Sequence, residues 1–135
     1  MKIKGRLLYF DQWIMDDHIF PRDCKIDIPE KVPLTFDFSN DQKVLGTAHA
    51  ERDEKGLIVT ADIYEDAAEM VKGFESEFAL GGFYNKCKFT HNQKGTGKRV
   101  VEYAELKAVS ITPYPVNKDY DYEIIYEENL HAEDN

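Results

Sequence analysis

The sequence predicts a mainly β fold with one main helix, a β-rich α+β domain closed or nearly closed into a β-barrel. Three observations predict it. Apolar and β-branched residues recur in short alternating runs along most of the chain. Two polar, glycine-containing stretches sit between such runs at hairpin spacing. One stretch alone repeats its apolar positions at three or four residues.

The first strand is expected at 2–10, where Ile3, Leu7 and Leu8 are interspersed with Lys2, Lys4 and Arg6. Strands at 32–38, 44–51 and 57–63 follow. Arg52-Asp53-Glu54-Lys55-Gly56 joins the last two, with Gly56 where a turn demands a positive φ. Residues 78–91 and 98–112 read as two long strands joined by the looser Asn92-Gln93-Lys94-Gly95-Thr96-Gly97. The helix is expected at 65–77. Its apolar face is Ala67, Met70, Val71, Phe74 and Phe78, and Glu65 and Asp66 suit the positive end of its dipole. Gly73 weakens its middle.

With 135 residues, the chain has the length of one domain and can bury a core without disulfides or metals. The two cysteines, Cys24 and Cys87, read as free thiols. The apolar run at the start ends at Asp11, too short for a signal-peptide core or a membrane span.

Net charge is −9, from 17 bases and 26 acids. Seven of the acids, Asp119, Asp121, Glu123, Glu127, Glu128, Glu133 and Asp134, follow the last lysine, Lys118. That leaves 17 bases and 19 acids in residues 1–118, a net of −2. The chain divides accordingly into a body, 1–118, and an acidic C-terminal segment, 119–135. In the segment Tyr120, Tyr122, Ile124 and Tyr126 fall on one face of an expected final strand, 119–126. This strand either completes the barrel or docks on a partner by strand addition. The acidity and the lack of a basic patch argue against nucleic acid and anionic membrane as partners.

Little catalytic chemistry is legible. His18, His49, His91 and His131 stand in no metal-ligand spacing with one another or with cysteine, so no metal and no cofactor is expected. Cys87 lies between Lys86 and Lys88, which could lower its thiol pKa, but no base accompanies it. Trp13 reads as a cover for the core.

Longer segments carry a resemblance. In order these are Val32-Pro33-Leu34-Thr35-Phe36-Asp37-Phe38, Val44-Leu45-Gly46-Thr47-Ala48 and Asp53-Glu54-Lys55-Gly56-Leu57-Ile58-Val59. After the helix come Phe78-Ala79-Leu80-Gly81-Gly82-Phe83, then Leu106-Lys107-Ala108-Val109-Ser110-Ile111-Thr112-Pro113-Tyr114-Pro115-Val116-Asn117. Together they resemble the prohead (capsid maturation) serine proteases of tailed bacteriophages, whose β-barrel is shared with the herpesvirus assemblins. The resemblance spans roughly residues 1–118.

It implies a catalytic histidine, a nucleophilic serine and a third polar residue. Matched one by one, these positions fall on Phe38, Ala79 and Ala108. None can attack a carbonyl or hold a proton, and loss of the nucleophile alone costs a serine protease roughly 10⁶ in turnover. What the resemblance then implies is a phage or prophage protein of the host cytoplasm or prohead, without peptidase activity. It would act in capsid assembly through capsid or scaffold proteins or its own copies, a homodimer included. The surface concerned would be the former groove, Phe38, Ala79, Gly81 and Ala108, together with Tyr120 and Tyr122. Two alternatives stand beside it. One is a hydrolase with a relocated site at Ser39, Ser76, Ser110 or Cys87; the other is an unrelated small β-barrel module that binds or oligomerises.

Overall fold

The computed structural model describes residues 1–14, 18–37, 44–75, 77–91, 98–112, 120 and 122–125. Of these, 65% lie in strands. They form one curled sheet in the order β10 (Tyr122–Ile125), β1 (Lys2–Tyr9), β7 (Gly56–Ile63), β6 (Gly46–Arg52), β5 (Val32–Phe36), β9 (Arg99–Thr112), β3 (His18–Ile19) and β2 (Trp13–Ile14), with β4 (Lys25–Asp27) and β8 (Ala79–His91) also on β9. Of the closed or nearly closed barrel expected, the sheet forms a curled half-barrel that does not close, because β8 (Ala79–His91) and β10 (Tyr122–Ile125) are not paired with each other.

β1 (Lys2–Tyr9) starts with strict alternation and then buries both Leu7 and Leu8. A bulge between Arg6 and Leu8 explains this: one extra residue shifts the phase of the strand, so two neighbours face the core. β6 (Gly46–Arg52) and β7 (Gly56–Ile63) alternate cleanly. Gly46, Ala48 and Ala50 point inward from β6, and Leu57, Val59, Ala61 and Ile63 from β7. Small residues on one strand facing large ones on the next let a sheet curl without voids.

The turn between them is fixed by Asp53. Its Oδ1 accepts the Lys55 and Gly56 amides at 3.0 and 2.9 Å, and its two oxygens take both guanidinium nitrogens of Arg6 at 2.7 and 2.8 Å. Gly56 has φ +155°, and a Cβ there would run into the Leu8 carbonyl oxygen.

β9 (Arg99–Thr112) organises the rest. On one edge it pairs in parallel with three successive segments: β3 (His18–Ile19) near its start, β4 (Lys25–Asp27) in its middle and β5 (Val32–Phe36) at its end. β2 (Trp13–Ile14) lies outside β3. On its other edge β9 runs antiparallel to β8, with irregularities that shift the inward phase. Val101 faces the core, then Ala104 and Leu106, then Val109 and Ile111. Leu34, Leu57, Leu80, Leu106 and Ile111 anchor the core, each at most 1% exposed.

The helical segment is shorter than the spacing predicts. A 3-10 turn, Glu65–Ala67, leads into α1 (Ala68–Gly73), which stops at the expected weak point. Ala67 and Val71 are buried, whereas Met70, expected inward, is exposed. Beyond α1 the chain folds back, and Phe74 stacks on Phe78 at 4.0 Å and on Phe36 at 5.3 Å between ring centroids. This aromatic cluster and α1 close the end of the half-barrel where β9 finishes.

β10 pairs antiparallel with β1, from Lys2↔Ile125 to Gly5↔Tyr122. Tyr120, Tyr122 and Ile124 are buried, so part of the acidic segment belongs to the sheet.

Candidate functional site

Two of the positions matched to protease chemistry, Ala79 and Ala108, lie on one hairpin without being neighbours. Ala79 opens β8 opposite Thr112, and Ala108 lies opposite Phe83. Cross-strand partners share a face, so both alanines are on one side of the hairpin, with the Gly81–Ser110 pair between them. They are four positions apart, about 13 Å along the strand. Phe38 lies outside the described residues, as do Ser39 and Ser76. Asp37, the last described residue before Phe38, donates its amide to the Ile111 carbonyl at 2.8 Å, beside the Ala79–Thr112 end of the hairpin. Ala79 is 1% exposed and Ser110 is fully buried, with its Oγ 3.5 Å from the Ile111 carbonyl.

Tyr120 and Tyr122 serve the sheet's own edge. Tyr122 donates its hydroxyl to the Val71 carbonyl at 2.7 Å, tying β10 to α1. Burial, with Glu75 nearby, pushes its phenol well above the ordinary range. Tyr120 stacks on Tyr9 at 5.5 Å. His49 makes structural contacts: its Nδ1 lies 2.8 Å from the Glu30 carbonyl and its Nε2 3.1 Å from Glu51. The carbonyl first, then the carboxylate, raises its pKa.

A different place offers a cavity. At the end of the half-barrel away from α1 the sheet stays open, and a hollow of about 420 Å³ extends from the core. Phe20, Phe89 and Val101 form its apolar wall, and His18 and Arg99 add polar groups. Tyr84 and Cys87 reach it from β8. The volume falls within the range of small-ligand sites, and barrel mouths are a common place for them.

Aromatic contacts hold this mouth in shape. The His18 ring meets Phe20 edge-on at 5.9 Å, and Phe20 packs on Tyr84 at 5.0 Å. The Arg99 guanidinium lies 5.1 Å from the Phe89 ring centroid. Two further cations stack nearby, Lys98 over Trp13 at 5.4 Å and Lys88 over Tyr103 at 5.9 Å. Trp13 is thus not the core cover expected; it is 37% exposed, with a lysine on its face.

Tyr84 folds back along β8. A Cβ on Gly82 would sit 2.5 Å from its hydroxyl, so glycine is what lets the ring lie there. That hydroxyl is buried with no partner among the described residues, and burial pushes its pKa well above normal. Cys87 is also raised by burial, against the lowering that its flanking lysines suggest. Lys86 instead reaches Glu105 at 3.6 Å, and the Cys87 thiol makes a weak bond to the Asn85 carbonyl at 3.9 Å. Cys24 and Cys87 are both free.

No family model, curated protein or solved structure matches the chain. The chemistry of the site therefore rests on these residues alone. Among the described residues no group of three or more His, Cys, Asp or Glu side chains is placed to hold a metal ion. Among them, too, no helix is long and apolar enough to cross a membrane.

Sequence reasoning did not find the mouth. His18, Phe89 and Arg99 are widely spaced along the chain and meet only because β3 and β8 flank β9. The one available signal was the Gly81-Gly82 pair two residues before a tyrosine, where a strand makes room for a large ring.

Proposed function

We propose that the chain is a non-catalytic binding module, used in the setting its resemblance implies: assembly of a phage or prophage capsid, on capsid or scaffold proteins or on a second copy. The observation that carries the reading is Ala79. At the position matched to a nucleophile stands a methyl group, packed at 1% exposure where β8 begins. It leaves no orphaned polar group there, so the sheet gains rather than loses by the replacement. The segment order around it also supports the reading, with β5, the β6–β7 hairpin, a short helix and the β8–β9 hairpin in sequence.

The test is incubation of the purified chain with a capsid precursor and its scaffold. Co-sedimentation without cleavage over hours supports the proposal. Time-dependent cleavage abolished by a serine-directed inhibitor overturns it.

The four-position gap between Ala79 and Ala108 favours a second reading, a β-rich binding module with no protease ancestry. The two differ in setting and agree on a role without hydrolysis. A relocated cysteine hydrolase draws on Cys87 and His18 lining one cavity. Against it stands a thiol kept protonated by burial, since the thiolate is the nucleophile.

A further inference from the structure

We propose that the open mouth of the half-barrel binds a planar aromatic group bearing a carboxylate, its ring against Phe20, Phe89 and Val101 and its carboxylate on Arg99. The inference does not depend on the capsid setting.

Two features of the cavity lead to it. The first is the wall. Phe20 is 2% exposed and Val101 1%, so the core itself supplies a firm apolar floor, while Phe89 is 41% exposed at the rim. A large apolar side chain left at the rim of a hollow gains by being covered.

The second is the charge. Arg99 is spread over the face of Phe89, which orients the guanidinium and leaves its N–H edge available. Among the described residues no carboxylate bridges it. The nearby Glu102 is engaged with the Thr90 hydroxyl, and the Thr90–Val100 pair lies on the opposite face of the hairpin from Phe89 and Arg99. A guanidinium presents paired donors that match the two oxygens of a carboxylate. His18 lines the same hollow from the neighbouring strand, where it is the register partner of Arg99.

An aromatic carboxylate has two sources, a free acid and a peptide that ends in phenylalanine. The experiment therefore uses two probes, 2-naphthoate and a tripeptide Gly-Gly-Phe, each followed by calorimetry and by amide NMR shifts. Neutral partners of each, 2-naphthalenemethanol and the amidated tripeptide, serve as controls. The expected result is saturable one-to-one binding of at least one acid, with shifts centred on Cys87, Phe89, Arg99 and Val101. Its neutral partner should bind at least about tenfold more weakly, and Arg99→Gln should cause a similar loss, near 1.4 kcal/mol. Phe89→Ala should weaken both members of the pair. Tighter binding of the peptide assigns the carboxylate to a chain terminus; tighter binding of naphthoate assigns it to a free acid. Absence of binding by either acid up to about 10 mM, beyond any useful affinity, overturns the proposal. So does binding that ignores the carboxylate or the Arg99 substitution. Both substituted side chains are exposed, so the variants should keep the wild-type melting temperature, which is measured alongside.

Discussion

The two ends of the half-barrel were built from similar materials, aromatic rings and strand termini, and came out differently. At one end Phe36, Phe74 and Phe78 stack on one another, α1 seats Val71 in the core, and Tyr122 ties β10 to α1 by a buried hydrogen bond. At the other end the rings of Trp13, Phe89 and Tyr103 are each capped by a cation, and the hollow beneath stays open. The stacked rings help to close the core, whereas these three cation-capped rings stay at least partly exposed, where the charge keeps its water. The closed end should therefore carry stability and the open end recognition.

Substitutions can break that division. The largest effect is expected from Leu80→Ala, a fully packed side chain at the closed end, which should cost about 2–5 kcal/mol in urea denaturation. Phe89→Ala at the open rim should cost less than about 0.5 kcal/mol in the same assay. Equal losses would refute the contrast.

Two tyrosines sharpen it. Tyr122→Phe removes a satisfied buried bond and leaves the Val71 carbonyl with only the longer one from the Phe74 amide at 3.3 Å, at about 1 kcal/mol. Tyr84→Phe removes a buried hydroxyl that has no partner among the described residues, and should leave stability unchanged or raised by up to about 1 kcal/mol.

Acid should act on the turn between β6 and β7. Arg6, with help from the Gly56 and Lys55 amides, holds the Asp53 carboxyl down at about 2. A depressed carboxyl contributes stability above its ordinary value near 3.8, and the contribution is lost as pH falls from there to about 2. The pair is partly solvated, so the effect should stay below about 1 kcal/mol. Asp53→Asn keeps the acceptor of the turn and should flatten the acid limb of a melting-temperature profile between pH 5 and 2.

The smallest effect belongs to His49, whose pKa is raised by the Glu30 carbonyl and Glu51. Its contribution is complete below the ordinary histidine value near 6.5 and fades as pH rises past the folded value. His49→Gln should remove it. Melting temperatures of the two proteins, compared at pH 5.5 and 8.5, should differ between those pH values by no more than a degree or so, about what an exposed pair can supply.

The long strands were legible because they are long. β1, β6, β7, β8 and β9 lie within two residues of where alternation and turn residues place them. β2, β3 and β4 were not, since two or three residues give no period; they are strands only because β9 is there to pair with. The bulges escaped for a related reason. A phase shift at Leu7 reads in the sequence merely as two adjacent leucines. How far the sheet closes was not legible, because nothing in a strand's composition states which edges meet. The mouth was invisible for the same cause: it is assembled from β3, β8 and β9, and its charge and rings are ordinary in each strand taken alone.

β9 also sets the timetable on which this protein can come into being. The partners of its parallel edge, residues 18–36, precede it by roughly 75 to 80 positions, and β9 itself belongs to the last third of the sequence. While a ribosome is still making the hairpin of β6 and β7, the segments destined for β3 and β4 have nothing to pair with. Such distant pairings are slow to form and leave strand edges and leucines bare in the interval. The nascent chain is thus most exposed to aggregation and to chaperones just before residue 99 emerges, and folding in the cell should be gated by the synthesis of one strand.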